Sequence, residues 1–489
     1  MKKSAIILLM CLIFNFVNAQ DETHAFRFSQ TTIGGTAKFV ALGGACSATG
    51  ADFSAISVNP AGIAVNKKSE ITFTPSLYVK TADATYLNNQ RHDADFNFNI
   101  NNFGFVTTVK TENSKSGWVN FNFGIGYKKL NKYNSNITIE GVNTKSSLLD
   151  QYLDEANGTH YLNLDEYGAL LPFNTYLLNF ANGYPDSSHY VSVIEHYGEA
   201  QRKTIATKGS SGETVFSFGA NYKDKFYIGM AINIPNIRYT YNSNYSENDH
   251  KDTIPDFKSF NLKEYYSTSG SGFNCKFGII YKPANFLRLG AAIHSPTIYS
   301  MGIDYNKEMS SSFDSANAIH PSGNMFSDKA PDGSFNYKII TPMRAIGSVG
   351  FVFGKKGLIN IEYEYVDYSK AILRSDDYDF NEENKAINKK YTSPNIIRAG
   401  GELNFSPYVI RAGYAFYGNP YKGDYNKVYT YIYSIGFGYR VENFFLDFAY
   451  SLSNYNEKYY MYNTTRIETE PAKIEYNNSN FLITIGIRY

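Results

Sequence analysis

From Glu70 to the last residue, apolar and polar positions alternate with a period of two. Val119, Phe121, Phe123, Ile125 and Tyr127 are interleaved with Asn120, Asn122, Gly124 and Gly126. Tyr431, Tyr433, Ile435, Phe437 and Tyr439 repeat the pattern against Thr430, Ser434, Gly436 and Gly438, and Phe444, Leu446, Phe448 and Tyr450 repeat it against Phe445, Asp447, Ala449 and Ser451. Alternation of this kind predicts strands with one apolar face and one small or polar face. About fourteen are expected, starting near Glu70, Asn97, Gly117, Glu213, Phe226, Phe257, Phe286, Ser334, Leu358, Tyr391, Tyr408, Tyr429, Phe444 and Lys473. The last, FLITIGIRY, puts Phe481, Ile483, Ile485, Ile487 and Tyr489 on one face.

The connections separate a membrane barrel from a soluble sandwich, which would alternate equally well. Lys223-Asp224-Lys225, Lys282-Pro283-Ala284-Asn285, Gly354-Lys355-Lys356-Gly357, Ser406-Pro407 and Glu442-Asn443 are tight turns, and long polar links such as 306–333 and 375–390 fall between them. Short turns at one end and long loops at the other are the asymmetry of an outer-membrane barrel. The expected fold is therefore all-β, a transmembrane antiparallel barrel of about fourteen strands. After the N-terminus no apolar run approaches the roughly 18 residues of a membrane helix, and a closed barrel is then the structure that can span lipid.

Residues 34–65, GGTAKFVALGGACSATGADFSAISVNPAGIAV, fit neither pattern. They are rich in Gly, Ala and Ser and end in Asn59-Pro60-Ala61-Gly62, which predicts a compact irregular segment held by something else. A barrel of about fourteen strands encloses more space than its wall side chains fill, so residues 20–69 are expected to plug the lumen. Upstream, Lys2 and Lys3 precede an apolar run to Val17, and Val17-Asn18-Ala19 offers a small-residue cleavage site, the pattern of a secretory signal over residues 1–19. Cys46 and Cys275 then fall in the plug and in a strand, which favours two unpaired thiols over a disulfide.

Composition sharpens this picture. A net charge of +1 gives no reason for a nucleic-acid partner. The 43 tyrosines and 36 phenylalanines exceed what soluble enzymes carry and suit aromatic girdles at the two lipid interfaces. None of the eight histidines sits in a motif with a nucleophile, so no enzyme is indicated and no cofactor is called for. His189 and His196, seven apart, would allow heme or metal capture only on a helix.

The signal, the Gly-rich segment closing on Asn59-Pro60-Ala61, Thr341-Pro342-Met343-Arg344, the strands IIRAGGELNF and YVIRAGYAFYG and the terminal aromatic together resemble the FadL/TodX family. These are outer-membrane transporters for long-chain fatty acids and other hydrophobic molecules. The resemblance implies an N-terminal hatch in the lumen, a ligand site between hatch and wall, and sideways release at a kinked early strand. The hatch or gate falls on Asn59, Pro60, Ala61 and Gly62. Ligand contacts fall on Phe39, Leu42, Phe53 and Ile56, and on the inward-facing Arg344, Arg398 and Arg411, for which Glu362, Glu364, Glu402 and Asp447 are competing partners.

Further expectations complete the reading. Phe96, Phe98 and Ile100 fall on even positions and Phe103 and Phe105 on odd ones, which predicts a β-bulge at Asn101-Asn102 and a candidate lateral window; Pro235 is a second. Residues 134–212 form the longest loop, partly helical, with apolar stripes at Leu148, Leu149, Tyr152 and Leu153 and from Leu170 to Phe180. The implied partners are outer-membrane lipid, a hydrophobic ligand such as a long-chain fatty acid, and the barrel-assembly machinery through the strand ending at Tyr489, with the chain a monomer. The competing function is a non-transporting barrel: a surface receptor (including one for heme), an adhesin or a secretion-system component.

Overall fold

The computed structural model describes residues 22–111, 116–181, 187–317, 319–423 and 426–489; the signal-peptide reading lies outside them. Fourteen antiparallel strands close into one barrel. They are β1 (Glu70–Tyr86), β2 (Asn89–Lys110), β3 (Trp118–Lys132), β4 (Ala200–Tyr222), β5 (Phe226–Asn248) and β6 (Phe257–Ala284). β7 follows in two pieces (Leu287–His294 and Ile298–Phe313), as does β8 (Gly333–Ile340 and Arg344–Val352). The wall continues with β9 (Gly357–Val366), β10 (Ile396–Phe405), β11 (Tyr408–Tyr417), β12 (Thr430–Val441), β13 (Phe444–Tyr459) and β14 (Ala472–Arg488). β14 pairs back onto β1, from Glu70↔Arg488 to Thr85↔Lys473, and closes the ring.

The alternation read from sequence sets the two surfaces. Ile228, Met230, Ile232 and Ile234 on β5, Tyr431, Tyr433, Ile435 and Phe437 on β12, and Phe481, Ile483, Ile485 and Ile487 on β14 are all exposed on the outside. That apolar and aromatic band is the lipid-facing surface of a transmembrane barrel. Several strands run well past it. A tilted strand needs roughly 9–11 residues to cross a bilayer, whereas β5 has 23 and β6 has 28. β4 starts at Ala200 rather than near Glu213, so the 134–212 loop is shorter than expected by the length of a strand end. Above the membrane, α4 (Leu148–Ala156) and α5 (Leu170–Asn174) fold inward. Leu149, Tyr152, Leu171 and Leu177 are buried with Phe257, Phe260, Phe313 and Tyr462 in one core, so both apolar stripes are spent on a cap over the barrel mouth.

Residues 22–69 fill the lumen. α1 (Glu22–Ser29) lies uppermost among them, followed by two short helices, α2 (Ala37–Ala41) and α3 (Phe53–Ile56), and the 3₁₀ helix Pro60–Val65. Such short helices need end-caps. The Thr36 hydroxyl accepts from Phe39 N and donates to Asp52 Oδ2 at 2.7 Å, Asp52 accepts from Ser54 N at 2.8 Å, and Asn59 Oδ1 accepts from Ala61 N with Pro60 in the first turn.

Wall glycines make room for this segment. A Cβ on Gly104 or Gly126 would overlap the Phe53 ring, one on Gly124 or Gly219 would overlap Ile63, and one on Gly229 would sit 2.3 Å from the Pro60 carbonyl. Across the lumen, Gly400 and Gly413 meet the Leu42 backbone and Gly436 meets Ala41. The glycines that alternate with aromatics along the strands are thus sites of backbone-to-wall contact.

Gly229→Val is expected to expel the Pro60–Ala61 turn while the barrel still assembles. In planar bilayers the variant should conduct more than the wild type. Gly347→Val, where nothing lies within 4 Å of the new Cβ, should not.

Candidate functional site

The lumen segment is fixed to one side of the wall by buried charge. Inward positions on β8 to β13 bring Arg398 Nη1 within 2.7 Å of Glu362 and Nη2 within 2.5 Å of Glu364. Arg344 pairs with Glu364 and donates to the Ser29 carbonyl, and Arg411 bridges Glu402 and Asp447 at 2.7 Å each. Glu362 also accepts from the Ser47 amide and hydroxyl, which ties this network to the lumen segment. On the opposite side, Lys276 is held by Glu213 at 2.8 Å and donates to Ser57 O, Lys128 donates to the Ser57 hydroxyl at 2.5 Å, and His294 Nε2 lies 2.7 Å from Val58 O. Asn59 closes the set, with its Nδ2 donating to Ser47 O and Ile279 O. Removing one partner of such a buried pair leaves the other charge uncompensated and costs about 3–5 kcal/mol.

The residues expected at the gate are packed or tethered in this structure. Asn59, Pro60 and Ala61 are buried against β5 and β6, and Gly62 is buried against Gly50 within the plug. Leu42 and Ile56 are fully enclosed, and Phe53 fills the space over Gly104 and Gly126. Phe39 packs under the Lys128 ammonium, 4.5 Å from its ring centre, at the edge of a cavity of about 90 Å³ that Arg344 and Arg398 also line. Arg344, Arg398 and Arg411 all carry carboxylate partners, so the clamp geometry occupies the guanidinium groups that a free carboxylate would need. Pro235 interrupts the β5–β6 ladder only between Asn233↔Asn274 and Asn236↔Ser271; pairing resumes on both sides, which leaves no window there.

Above the plug lies a much larger cavity, about 850 Å³. Among the described residues it is lined by sixteen tyrosines and one phenylalanine, Phe26, with seven cationic side chains against three carboxylates. Tyr241 stacks on Tyr266 at 4.7 Å and Tyr455 on Tyr476 at 4.6 Å, while Lys80 sits 4.4 Å over the Tyr476 ring and Lys132 4.4 Å over Tyr78. Sequence reasoning assigned the aromatic surplus to lipid girdles and missed this chamber. The available signal was parity: Tyr239 and Tyr241 share the inward face of β5 with Ile237, beyond the membrane-spanning part of the strand.

One side of the chamber wall lacks a backbone ladder. β2 carries a bulge, with Pro75 opposite Ile100, Thr74 opposite Asn102, and Asn101 left over. Pairing of β2 with β3 runs only from Lys110↔Asn120 to Asn102↔Lys128 and stops there. Beyond it β3 pairs only with β4, and the following strand, Ser135–Val142, does the same. Side chains alone bridge the two edges: Lys129 Nζ to Asn99 Oδ1 at 2.9 Å, Asn136 to Asp95, and Thr138 N to Asp93 Oδ2 at 2.7 Å. Outside the break, Phe96 and Phe98 are over 70% exposed to lipid. Inside it, Thr32 donates both its amide and hydroxyl to Leu130 O on the unpaired edge, and Asn131 donates to Gln30 O. The bulge read from the phase slip at Asn101-Asn102 is therefore one rim of a longer gap.

Two titratable features outside the spanning strands bear on chemistry. Burial and the nearby Asp52 carboxylate push the Cys46 thiol well above its ordinary range, and Cys46 and Cys275 are both free. Such a thiol is a poor nucleophile. In the cap, burial and then the neighbouring Glu247 carboxylate push Glu199 up to about 8. Glu247 is itself enclosed, accepting from Ser147 Oγ, Leu148 N and Tyr245 OH.

This architecture is shared by solved structures. The first is a FadL homologue of Pseudomonas aeruginosa, 13% identical, with a TM-score of 0.56 over 94% of this chain and 99% of that one. The second is the toluene transporter TodX of P. putida, 11% identical, with a TM-score of 0.54 over 94% and 99%. At these identities the likeness is one of fold: the chain has the fold of a FadL-type barrel. No protein-family model and no curated protein matches it.

Glu199 gives a pH prediction with a definite sign. Its folded value lies above that of an unfolded glutamate, so the folded cap holds the extra proton and loses stability as pH rises from about 4.5 through 8. Limited proteolysis between α4 and β4 should accelerate from pH 6 to pH 9, and Glu199→Gln should flatten that dependence. For the clamp, Arg398→Gln should lower the temperature at which the folded band is lost on SDS gels. An unchanged temperature would remove the clamp from the account of stability.

Proposed function

We propose that the protein is a passive outer-membrane transporter that takes up long-chain fatty acids or other hydrophobic molecules. The carrying observation is the juxtaposition of three features: a capped chamber, a sealed floor of residues 33–66, and a break in the chamber wall that faces lipid. A molecule entering from outside meets tyrosine faces first. The plug below it is tethered at Asn59, Ser47 and Ser57, and the unlatched edge lies between β2 and β3. Release then runs sideways into the membrane, without opening an aqueous path through the floor. Breaking the bridges from Lys129, Asn136 and Thr138 exposes no new backbone ladder, whereas moving the plug would break the hydrogen bonds that buried Glu362, Arg344, Lys276 and Lys128 make to Ser47, Ser29 and Ser57.

Two experiments test the reading. In a strain lacking the gene, complementation should restore uptake of labelled oleate; a receptor or secretion barrel would leave uptake unchanged. Deleting Asn101 removes the bulge while keeping Phe96, Phe98, Ile100 and Phe103 on the lipid face, because the deletion restores strict alternation. The shortened β2 should pair further along β3, and uptake should fall several-fold in a barrel that still migrates as folded before boiling. Wild-type uptake in that variant would take the break out of the route.

A further inference from the structure

The short-turn end of the barrel carries lysines between aromatic rings that neither the wall nor the plug uses. Tyr222-Lys223-Asp224-Lys225-Phe226 joins β4 to β5, and Tyr281-Lys282 stands near the end of β6, ahead of Phe286. The Lys282 amide donates to the Lys225 carbonyl at 2.8 Å, so the three lysines belong to two adjoining turns. Lys223 and Lys225 are exposed and Lys282 is half-buried. Among the described residues none of the three has a carboxylate within ion-pair distance. Asp224, between the first two, accepts from Asn221 Nδ2 at 2.9 Å and lies 3.8 Å from Lys67. Lys223 and Asp224 have φ of 55° and 52°. A two-residue hairpin turn of that hand ordinarily takes Asn-Gly, so the lysine is not there for the backbone's sake.

The flanking rings fix the depth of these lysines. Phe226 and Tyr281 stack at 4.6 Å on the outer surface, Trp118 lies 5.2 Å from Tyr222, and Phe286 is exposed beside them. Such a girdle marks the boundary between hydrocarbon and headgroups. Each lysine is one residue from a ring, a rise of about 3.4 Å along a strand. The headgroup layer on each side of the hydrocarbon is roughly 5–8 Å deep, so the lysines stand level with lipid phosphates. The charge is local: the chain as a whole carries +1, and a long loop of the other end holds Asp376, Asp377, Asp379, Glu382 and Glu383.

We infer that Lys223, Lys225 and Lys282 form a binding site for the phosphate of an anionic phospholipid, whose acyl chains lie along Trp118, Tyr222, Phe226 and Tyr281. A phosphate between the lysines relieves their mutual repulsion and gains charge-assisted hydrogen bonds. The occupant is a membrane lipid because the rings beside the cluster face hydrocarbon and the tight turns hold the lysines at headgroup depth. The site is independent of what the chamber carries, and the outcome of the oleate experiment does not bear on it.

The protein carries its own reporter. Trp118 is the single tryptophan of the chain, and the carbonyl of its neighbour Gly117 accepts from the Lys223 amide at 2.8 Å. The full chain is reconstituted in phosphatidylcholine vesicles that contain a small fraction of phosphatidylglycerol or of phosphatidylcholine, brominated near the headgroup. Quenching of Trp118 is read for each, on protein that still migrates as folded before boiling. Both leaflets have one composition, so the direction of insertion is immaterial. At low ionic strength the brominated phosphatidylglycerol should be preferred by about fivefold for each lysine its phosphate meets, and added salt should erode that preference. Lys225→Gln and Lys282→Gln should each lower it about fivefold, as should Lys223→Asn, which keeps a residue suited to positive φ. The double variant Lys355→Gln, Lys356→Gln, on the turn between β8 and β9, should leave it unchanged. Equal quenching by the two lipids in the wild type, or a preference that survives loss of all three lysines, would overturn the site. An equal fall in the Lys355, Lys356 variant would also overturn it, in favour of a diffuse attraction by the whole rim.

Discussion

The fold turns on a problem of filling. Closing fourteen strands removes every sheet edge and satisfies the backbone within lipid, but it leaves a lumen too wide for the wall side chains to occupy. The chain meets this with its own N-terminal segment. That segment can sit against the wall because the inward positions at its level are often glycine, and it stays there because buried charges reach it from both sides. Ser47 on Glu362, Ser29 on Arg344, and Ser57 on Lys128 and Lys276 are contacts between a rigid wall and an irregular peptide with little structure of its own.

Those tethers are unevenly distributed, and the unevenness shapes the function proposed above. The floor is held by hydrogen bonds from buried charged side chains, which are costly to leave unmade. The wall between β2 and β3, in contrast, is closed along its outer half by a few side-chain hydrogen bonds. The weakest boundary of the chamber is therefore lateral. Thr32 and Asn131 attach the leading part of the plug to the same edge, so the plug's N-terminal arm and the break share a surface.

Tyrosine has two roles that the composition alone merged into one. On the outside, Tyr431 and Tyr433 sit in the lipid-facing band. On the inside, above the plug, Tyr78, Tyr239, Tyr241, Tyr455 and Tyr476 face a chamber that phenylalanine almost avoids. A tyrosine ring offers an apolar face and a hydroxyl at once, which suits a surface alternately wet and occupied by a greasy ligand. The long loop likewise spends its apolar stripes on the cap core, where Leu149 and Tyr152 are buried.

Much of this architecture was legible in the chain. Period-two alternation marked the strands and their faces, turn chemistry marked the short end, and a phase slip at Asn101-Asn102 marked the bulge, because each depends on neighbours in sequence. The plug was visible as a stretch that fits no regular element. What sequence could not decide was pairing across the ring. That Arg398 meets Glu362 and Glu364, and that Pro235 costs only a local interruption, follow from register. So does the failure of β3 to follow β2 beyond Lys128. The chamber belongs to the same class: its tyrosines come from strands hundreds of residues apart, and only closure of the barrel brings them to one cavity.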